Sequence, residues 1–70
     1  MNIQQIKKAI DDGLTVKWCN ANYDVIKDSI GQYLIVCRLN GYTIGLHGQK
    51  GSSYENVLNA DESGFYVVTA

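Results

Sequence analysis

Apolar residues in the first part of the chain recur at the spacing of a helix, and one face carries Ile3, Ile6, Ala9 and Ile10. This spacing is typical of an amphipathic α-helix. Asn2 can cap the first turn, and Gln5 stands at the reciprocal position of a capping box. Gly13 can take the backbone conformation that ends a helix. The pattern therefore predicts a helix over residues 3–12.

After Gly13 the period changes to two. Residues 14–19 alternate between apolar and polar side chains, as in a half-buried strand. Residues 20–22 have turn composition, and the extended pattern resumes over residues 23–27. A second turn is predicted before the apolar segment at residues 32–38, which reads as a third strand.

Asn40-Gly41 separates two apolar segments and is the strongest local signal in the chain. Both residues tolerate the positive φ of a type I′ turn, so a two-residue hairpin is predicted. Its register pairs Leu39 with Tyr42, Cys37 with Ile44, and Ile35 with Leu46 on the core side. Residues 48–53 are predicted as a loop, residues 54–59 are ambiguous, and a last strand is expected from Phe65 to Thr69.

These elements predict an α+β fold in which one N-terminal helix packs on an antiparallel β-meander of four to five strands. The chain has 70 residues, of which 46% are hydrophobic and 19% charged. This length and composition are those of one small globular domain, spanning residues 1–70.

The side of the sheet opposite the helix is predicted to be more apolar than an exposed face requires. The residues expected to contact a partner there are Ile26, Tyr33, Leu34, Val36 and Arg38. One short helix can cover only one side of the sheet. The sequence therefore predicts that a second copy of the chain, giving a homo-oligomer, or another protein covers this side.

Charge and terminal composition disfavour several classes of protein. Six Lys and Arg residues against seven Asp and Glu give a net charge of −1, without the basic stripe typical of nucleic-acid binding. The first residues lack the pattern of a secretion signal, and no apolar segment approaches membrane-spanning length. We therefore expect a soluble cytoplasmic protein, in which Cys19 and Cys37 remain free thiols.

No catalytic constellation is predicted. Cys37 and His47 could form a nucleophile and base, but the hairpin register places them on opposite faces of the sheet. A zinc site would also need a close pair of Cys or His ligands, which the chain does not have. We therefore expect a non-enzymatic protein with no catalytic residues, metal or cofactor.

The predicted loop after the hairpin offers an alternative, namely binding of a nucleotide or another anion. Its candidate residues are His47, Lys50, Ser52 and Ser53. Glycines, hydroxyls and a lysine can form an anion-binding nest, although the spacing is not that of a P-loop. The alternative prediction is a small-ligand protein that binds or sequesters nucleotides.

Five segments of the chain resemble small accessory proteins encoded by tailed bacteriophages and prophages. They are Asn2 to Ile10, Val25 to Asp28, Gly31 to Cys37, Asn40 to Leu46, and Asp61 to Tyr66. The resemblance implies a role in the cytoplasm of an infected or lysogenic bacterium, often by binding or inhibiting a host or defence protein. It assigns no site residues.

Overall fold

The structure of the protein is a computed structural model, which describes residues 1–49 and 51–68. It contains one α-helix, five strands and a short 3₁₀ helix in these residues. In chain order they are helix α1 (Ile3–Asp11) and strands β1 (Thr15–Trp18), β2 (Asn20–Lys27), β3 (Tyr33–Cys37), β4 (Thr43–Gly45) and β5 (Phe65–Val68). A short 3₁₀ helix, Glu62–Gly64, precedes β5.

Helix α1 begins with the capping box that the sequence predicts. The Asn2 side chain accepts a 2.8 Å hydrogen bond from the Gln5 backbone N–H, and Gln5 Oε1 accepts a 2.9 Å bond from the Asn2 N–H. The helix ends one residue earlier than predicted, because Asp12 is its C-cap and Gly13 follows with a φ of +83°. Local capping thus sets both ends of the helix.

The five strands form one antiparallel sheet in the order β4-β3-β2-β1-β5. Strands β1 to β4 are a meander, whereas β5 returns to pair with β1 at the opposite edge. The predicted α+β class, with an N-terminal helix on an antiparallel sheet, is confirmed.

The predicted two-residue turn at Asn40-Gly41 is wrong. Ile35 pairs with Ile44, two positions from the predicted register, and residues 38–41 form a longer loop. Gly41 has a φ of +73° but Asn40 does not have a positive φ, whereas a type I′ turn needs both. Asn40 Oδ1 instead accepts a 2.9 Å hydrogen bond from the Tyr42 N–H. Side chains alternate with a period of two along a strand, so a register shift of two residues leaves the same side chains of β3 and β4 on the core side.

The predicted turn over residues 20–22 is also wrong, because β2 already begins at Asn20. Cys19 makes the reversal with a φ of +66°. Lys17 pairs with Asp24 and Trp18 with Asn20, so residues 21–23 form a bulge without partners in β1. Such a bulge lets a strand continue through an irregular register.

The core lies between the sheet and a layer made by α1 and residues 46–49 and 51–60. Its buried side chains come from both layers: Ile6, Ala9, Val16, Val25, Ile35, Cys37, Leu46 and Phe65. Leu58, Ala60 and Trp18 pack against this cluster. The Trp18 ring also contacts the Tyr23 ring edge-on, with 5.1 Å between the ring centres. The sequence predicts that Leu39 and Tyr42 extend the core, but they are mostly exposed because both lie beyond the strand ends.

Candidate protein-binding face

The side of the sheet away from α1 is an open surface, here named the outer face. Strand alternation places on it Thr15, Lys17, Asp24, Ile26, Leu34, Val36, Thr43, Tyr66 and Val68. Arg38 follows β3 and reaches the same side, where it contacts Asp24. Within residues 1–49 and 51–68, α1 is the only α-helix and it packs on the other side.

An apolar patch lies on the outer face. Ile26 pairs with Leu34, and Val36 occupies the next outward position of β3. The Ile26 residue is 41% exposed, and Tyr66 and Val68 of β5 are similarly exposed, whereas Leu34 and Val36 are half-buried by their neighbours. The patch therefore exposes β-branched and aromatic surface that another protein could bury.

An ion group lies on the outer face between Val36 and Tyr66, because Val36 pairs with Asp24 and Tyr66 pairs with Lys17. Asp24 contacts Lys17 on β1, and its second carboxylate oxygen lies 3.5 Å from Arg38 Nε. The exposed fractions of the Lys17, Asp24 and Arg38 side chains are 11%, 28% and 62%. The Asp24 charge is shared between two cations, so the accessible positive charge of this group is that of Arg38.

Four of the five residues predicted for this surface lie together, namely Ile26, Leu34, Val36 and Arg38. Tyr33 does not, because it shares the alternation of Ile35 and therefore faces the helix side. There its half-buried ring packs against the core, and its hydroxyl bonds to Asp11. The placement of Tyr33 on the outer face is thus corrected.

Tyr33 belongs instead to a polar cluster between α1 and the sheet. Asp11 Oδ1 accepts hydrogen bonds from the Tyr33 hydroxyl at 2.8 Å and from Lys27 Nζ at 3.2 Å. Lys7 Nζ and Lys27 Nζ lie 5.0 and 5.3 Å from the centre of the Tyr33 ring. Lys7 and Asp11 are four residues apart on one helix face, which is the signal in the sequence that could have indicated the cluster.

The groups of this cluster shift one another's protonation equilibria. The hydrogen bond from Tyr33, followed by that from Lys27, lowers the pKa of Asp11. The same carboxylate raises the pKa of Lys27, while burial and the bond to Asp11 raise the pKa of Tyr33. The cluster therefore favours an ionised Asp11, a charged Lys27 and a neutral Tyr33, a combination that holds the helix end on the sheet.

The predicted anion loop uses its polar groups internally. His47 is half-buried and its Nδ1 lies 2.8 Å from the Gly48 carbonyl oxygen, while Ser52 Oγ donates a 2.7 Å bond to the Gln49 carbonyl. The Gly51 N–H donates to the Glu55 carboxylate at 3.3 Å. Ser53 is exposed, and Lys50 lies outside the described residues. The Glu55 carboxylate thus already accepts the hydrogen bond that the Gly51 N–H would donate to a bound anion.

A groove of about 890 Å³ borders this loop. Its polar lining includes Lys7, Gln32, His47, Glu55 and Asn59. It lies at the end of the sheet where β3 begins, beside the cluster of Tyr33 and Asp11 rather than on the outer face. The charges of Lys7 and Glu55 are opposite, so the lining does not select for one sign of ligand charge.

The two cysteines have different environments, since Cys37 is buried in the core and Cys19 is exposed, both as free thiols. Across residues 1–49 and 51–68, His, Cys, Asp and Glu form no group of three or more that could hold a metal ion. In the same residues, no helix is sufficiently long and apolar to cross a membrane.

The candidate functional surfaces are the outer face, the Asp11 cluster and the groove. In comparisons with protein-family models, curated proteins and solved structures, the chain has no significant match.

Proposed function

We propose that the chain is a non-enzymatic protein-binding domain that docks its outer face on another protein. The observation that carries the proposal is the apolar patch around Ile26 and Leu34, which no helix covers in the described part of the chain. Burial of such apolar surface is the main favourable term in protein association. Interfaces commonly combine an apolar centre with a polar rim, and Arg38 supplies a rim charge here.

The partner surface that fits this face is apolar and carries a carboxylate. Arg38 contacts Asp24 through Nε, and a guanidinium has five N–H donors, so donors remain for a second carboxylate. Arginine is well suited to this role because its planar fork can bind a carboxylate through two parallel hydrogen bonds. Lys17 is less suited, since its side chain is largely buried against the sheet.

The resemblance to accessory proteins of tailed bacteriophages and prophages supports a bacterial setting for this binding. On that basis, the partner is a host or defence protein, and the complex forms in the cytoplasm of an infected or lysogenic cell. Inhibition of the partner is one consequence that such binding could have.

The nucleotide-binding alternative has weaker support. The Glu55 carboxylate accepts the Gly51 N–H, and Ser52 donates to the Gln49 carbonyl, so a phosphate would have to displace contacts of the loop itself. A thermal-shift screen with nucleotides and cyclic nucleotides tests it, because a ligand that binds the folded state raises the melting temperature.

Partner capture with matched variants tests the proposed function. Ile26→Glu places a charge in the apolar patch, whereas Ile30→Glu makes the same change at a turn residue that is 77% exposed and outside the outer face. Bacterial lysate is passed over each immobilised variant, and retained proteins are quantified by mass spectrometry. Two-dimensional NMR spectra establish that each variant is folded.

A protein retained by wild type and Ile30→Glu, but at least about tenfold less by Ile26→Glu, supports the proposal, since tenfold corresponds to about 1.4 kcal/mol of binding free energy. That protein is then purified, and its affinity for Arg38→Glu is measured, where a loss of similar size is expected. Equal retention by Ile26→Glu and wild type would contradict the proposal, as would the absence of any protein retained specifically by wild type.

A further inference from the structure

Strand β5 is one edge of the sheet, and some of its backbone groups point away from β1. The Cys19 N–H donates a 2.9 Å hydrogen bond to the Gly64 carbonyl, and Lys17 pairs with Tyr66 two positions further on. In an antiparallel ladder, bonded and non-bonded pairs alternate. Tyr66 therefore bonds to β1, whereas the N–H and C=O groups of Val67 point outward.

Phe65 has the same outward orientation as Val67, but its N–H is already used. That N–H donates to the carbonyl of Glu62, the first residue of the 3₁₀ helix. The Phe65 carbonyl and both backbone groups of Val67 have no partner among the described residues. These three groups can act as a template for a further strand.

The two edges of the sheet differ in how they are protected. Beside the three-residue strand β4, the Asn59 side chain donates a 2.9 Å bond to the Gly45 carbonyl, and the Asn59 N–H donates a 3.0 Å bond to the Leu46 carbonyl. Strand β5 has only four residues, but its sequence, Phe-Tyr-Val-Val, contains no charge or proline, and it has no bulge. Edges are normally blunted by such features, so β5 has the character of a pairing edge.

We infer that β5 pairs with β5 of a second copy of this chain, antiparallel and around a two-fold axis at Val67. The outward groups of the two Val67 residues then exchange N–H···O=C hydrogen bonds. Tyr66 of one copy lies opposite Val68 of the other on the outer face, an aromatic and β-branched pair of the kind that stabilises sheets. The contact is self-complementary, as a two-fold interface requires.

This dimer joins two five-stranded sheets into one sheet of ten strands and makes the two outer faces continuous. The inference stands on the edge of β5 and does not require the proposed function. A short strand buries little surface, and small interfaces are generally transient. We therefore expect a dimer that forms with rising concentration rather than an obligate one.

Two substitutions at one position test the inference. Val67→Pro removes the outward N–H, which an edge strand tolerates where that group faces solvent. Val67→Ala removes side-chain packing but keeps the N–H, so it is the matched control. Sedimentation velocity of the full chain from about 10 µM to about 1 mM covers the range of weak association. Wild type and Val67→Ala should dimerise with increasing concentration, and Val67→Pro should remain monomeric.

Amide hydrogen exchange of wild type gives a second measurement that does not depend on the proline variant folding. The Val67 amide should exchange rapidly in dilute solution and become protected as the dimer forms, while the Tyr66 amide is protected throughout. A wild type that stays monomeric over the whole concentration range would overturn the inference. An exchange rate of the Val67 amide that does not change with protein concentration would also overturn it. Undiminished dimerisation of a folded Val67→Pro would also overturn it. Ile26→Glu should dimerise like wild type, which separates this result from that of the partner-capture experiment.

Discussion

The Tyr33 hydroxyl donates a 2.8 Å hydrogen bond to Asp11 Oδ1, and this bond joins the last residue of helix α1 to the first residue of strand β3. Lys27, the last residue of β2, donates to the same oxygen. One carboxylate therefore holds the end of the helix against the start of one strand and the end of another. Its protonation state should report on this junction.

Replacement of Tyr33 by Phe should raise the pKa of Asp11. The hydrogen bond from Tyr33 is the largest cause of the lowered pKa of this carboxyl, and Lys27 and Lys7 should maintain only part of the shift. Carboxyl chemical shifts followed by NMR over acidic pH give the pKa directly. Tyr54→Phe is the control, because Tyr54 is exposed and is not among the groups that shift the pKa of Asp11. An unchanged Asp11 pKa in Tyr33→Phe would contradict the assignment.

Asp11 should also contribute a pH-dependent part of the stability. Its folded-state pKa is lowered, so the stabilisation is present above about pH 4, the ordinary range for Asp, and is lost as the pH falls through the folded-state value. Urea unfolding should show wild type more stable than Asp11→Asn at neutral pH, with the difference shrinking in acid. A difference that stays constant from neutral pH to about pH 2 would exclude this linkage.

Gly48→Ala should destabilise the fold by about 1–3 kcal/mol, the usual cost of overpacking. A Cβ at this position would clash with the Tyr54 carbonyl oxygen, a backbone atom that cannot rotate away. Ser53→Ala changes an exposed residue of the same loop, and its effect should stay within about 0.5 kcal/mol. Denaturant unfolding measures both, and equal stabilities of the two variants would show that the loop is not packed at Gly48.

The two thiols should react at very different rates in the folded protein. Cys19 is exposed, whereas Cys37 is buried in the core. A chromogenic thiol reagent should therefore label one cysteine rapidly, and Cys19→Ser should remove that phase. Addition of denaturant should make the rates similar, because only folding distinguishes the two sites. Rapid labelling of Cys37 in folded Cys19→Ser would contradict its burial.

Ile6→Ala should be among the most damaging single substitutions, with a loss of about 2–5 kcal/mol. The Ile6 side chain is completely buried and packs in the cluster that includes Leu46. Ile30→Ala makes the same change at an exposed turn and should cost no more than about 0.5 kcal/mol. Thermal or urea unfolding compares the two, and a small effect at Ile6 would mean that the helix contributes little to the core.

The features predicted correctly from the sequence are those that depend on near neighbours. Asn2 and Gln5 are three residues apart, and their reciprocal bonds form as soon as the first turn is helical. The outward placement of Ile26, Leu34 and Val36 also follows from local alternation, which survives the two-residue error in the hairpin register. These three residues form the apolar patch of the outer face.

The features predicted wrongly have different causes. Tyr33 shares the alternation of Ile35, so the local pattern indicates the helix side, and its prediction on the outer face departs from that pattern. Its hydrogen bond to Asp11, 22 residues away, is what near neighbours do not indicate. At Asn40, the bond from the Tyr42 N–H to the Asn40 side chain replaces the turn in which Asn40 would take a positive φ. Ion pairing of Lys17 and Arg38 with Asp24 likewise depends on strand pairing that local patterns do not specify.

Trp18 is the only tryptophan in the sequence, and it lies where three parts of the fold meet. Its indole N–H donates a 3.2 Å bond to the Asp61 carbonyl, and its ring contacts Tyr23 of β2 and Phe65 of β5. Detachment of β5 would expose this ring to water even if the β1–β3 meander stayed intact. The intrinsic fluorescence of the protein is therefore an optical reporter of whether its last strand is attached, without any added label.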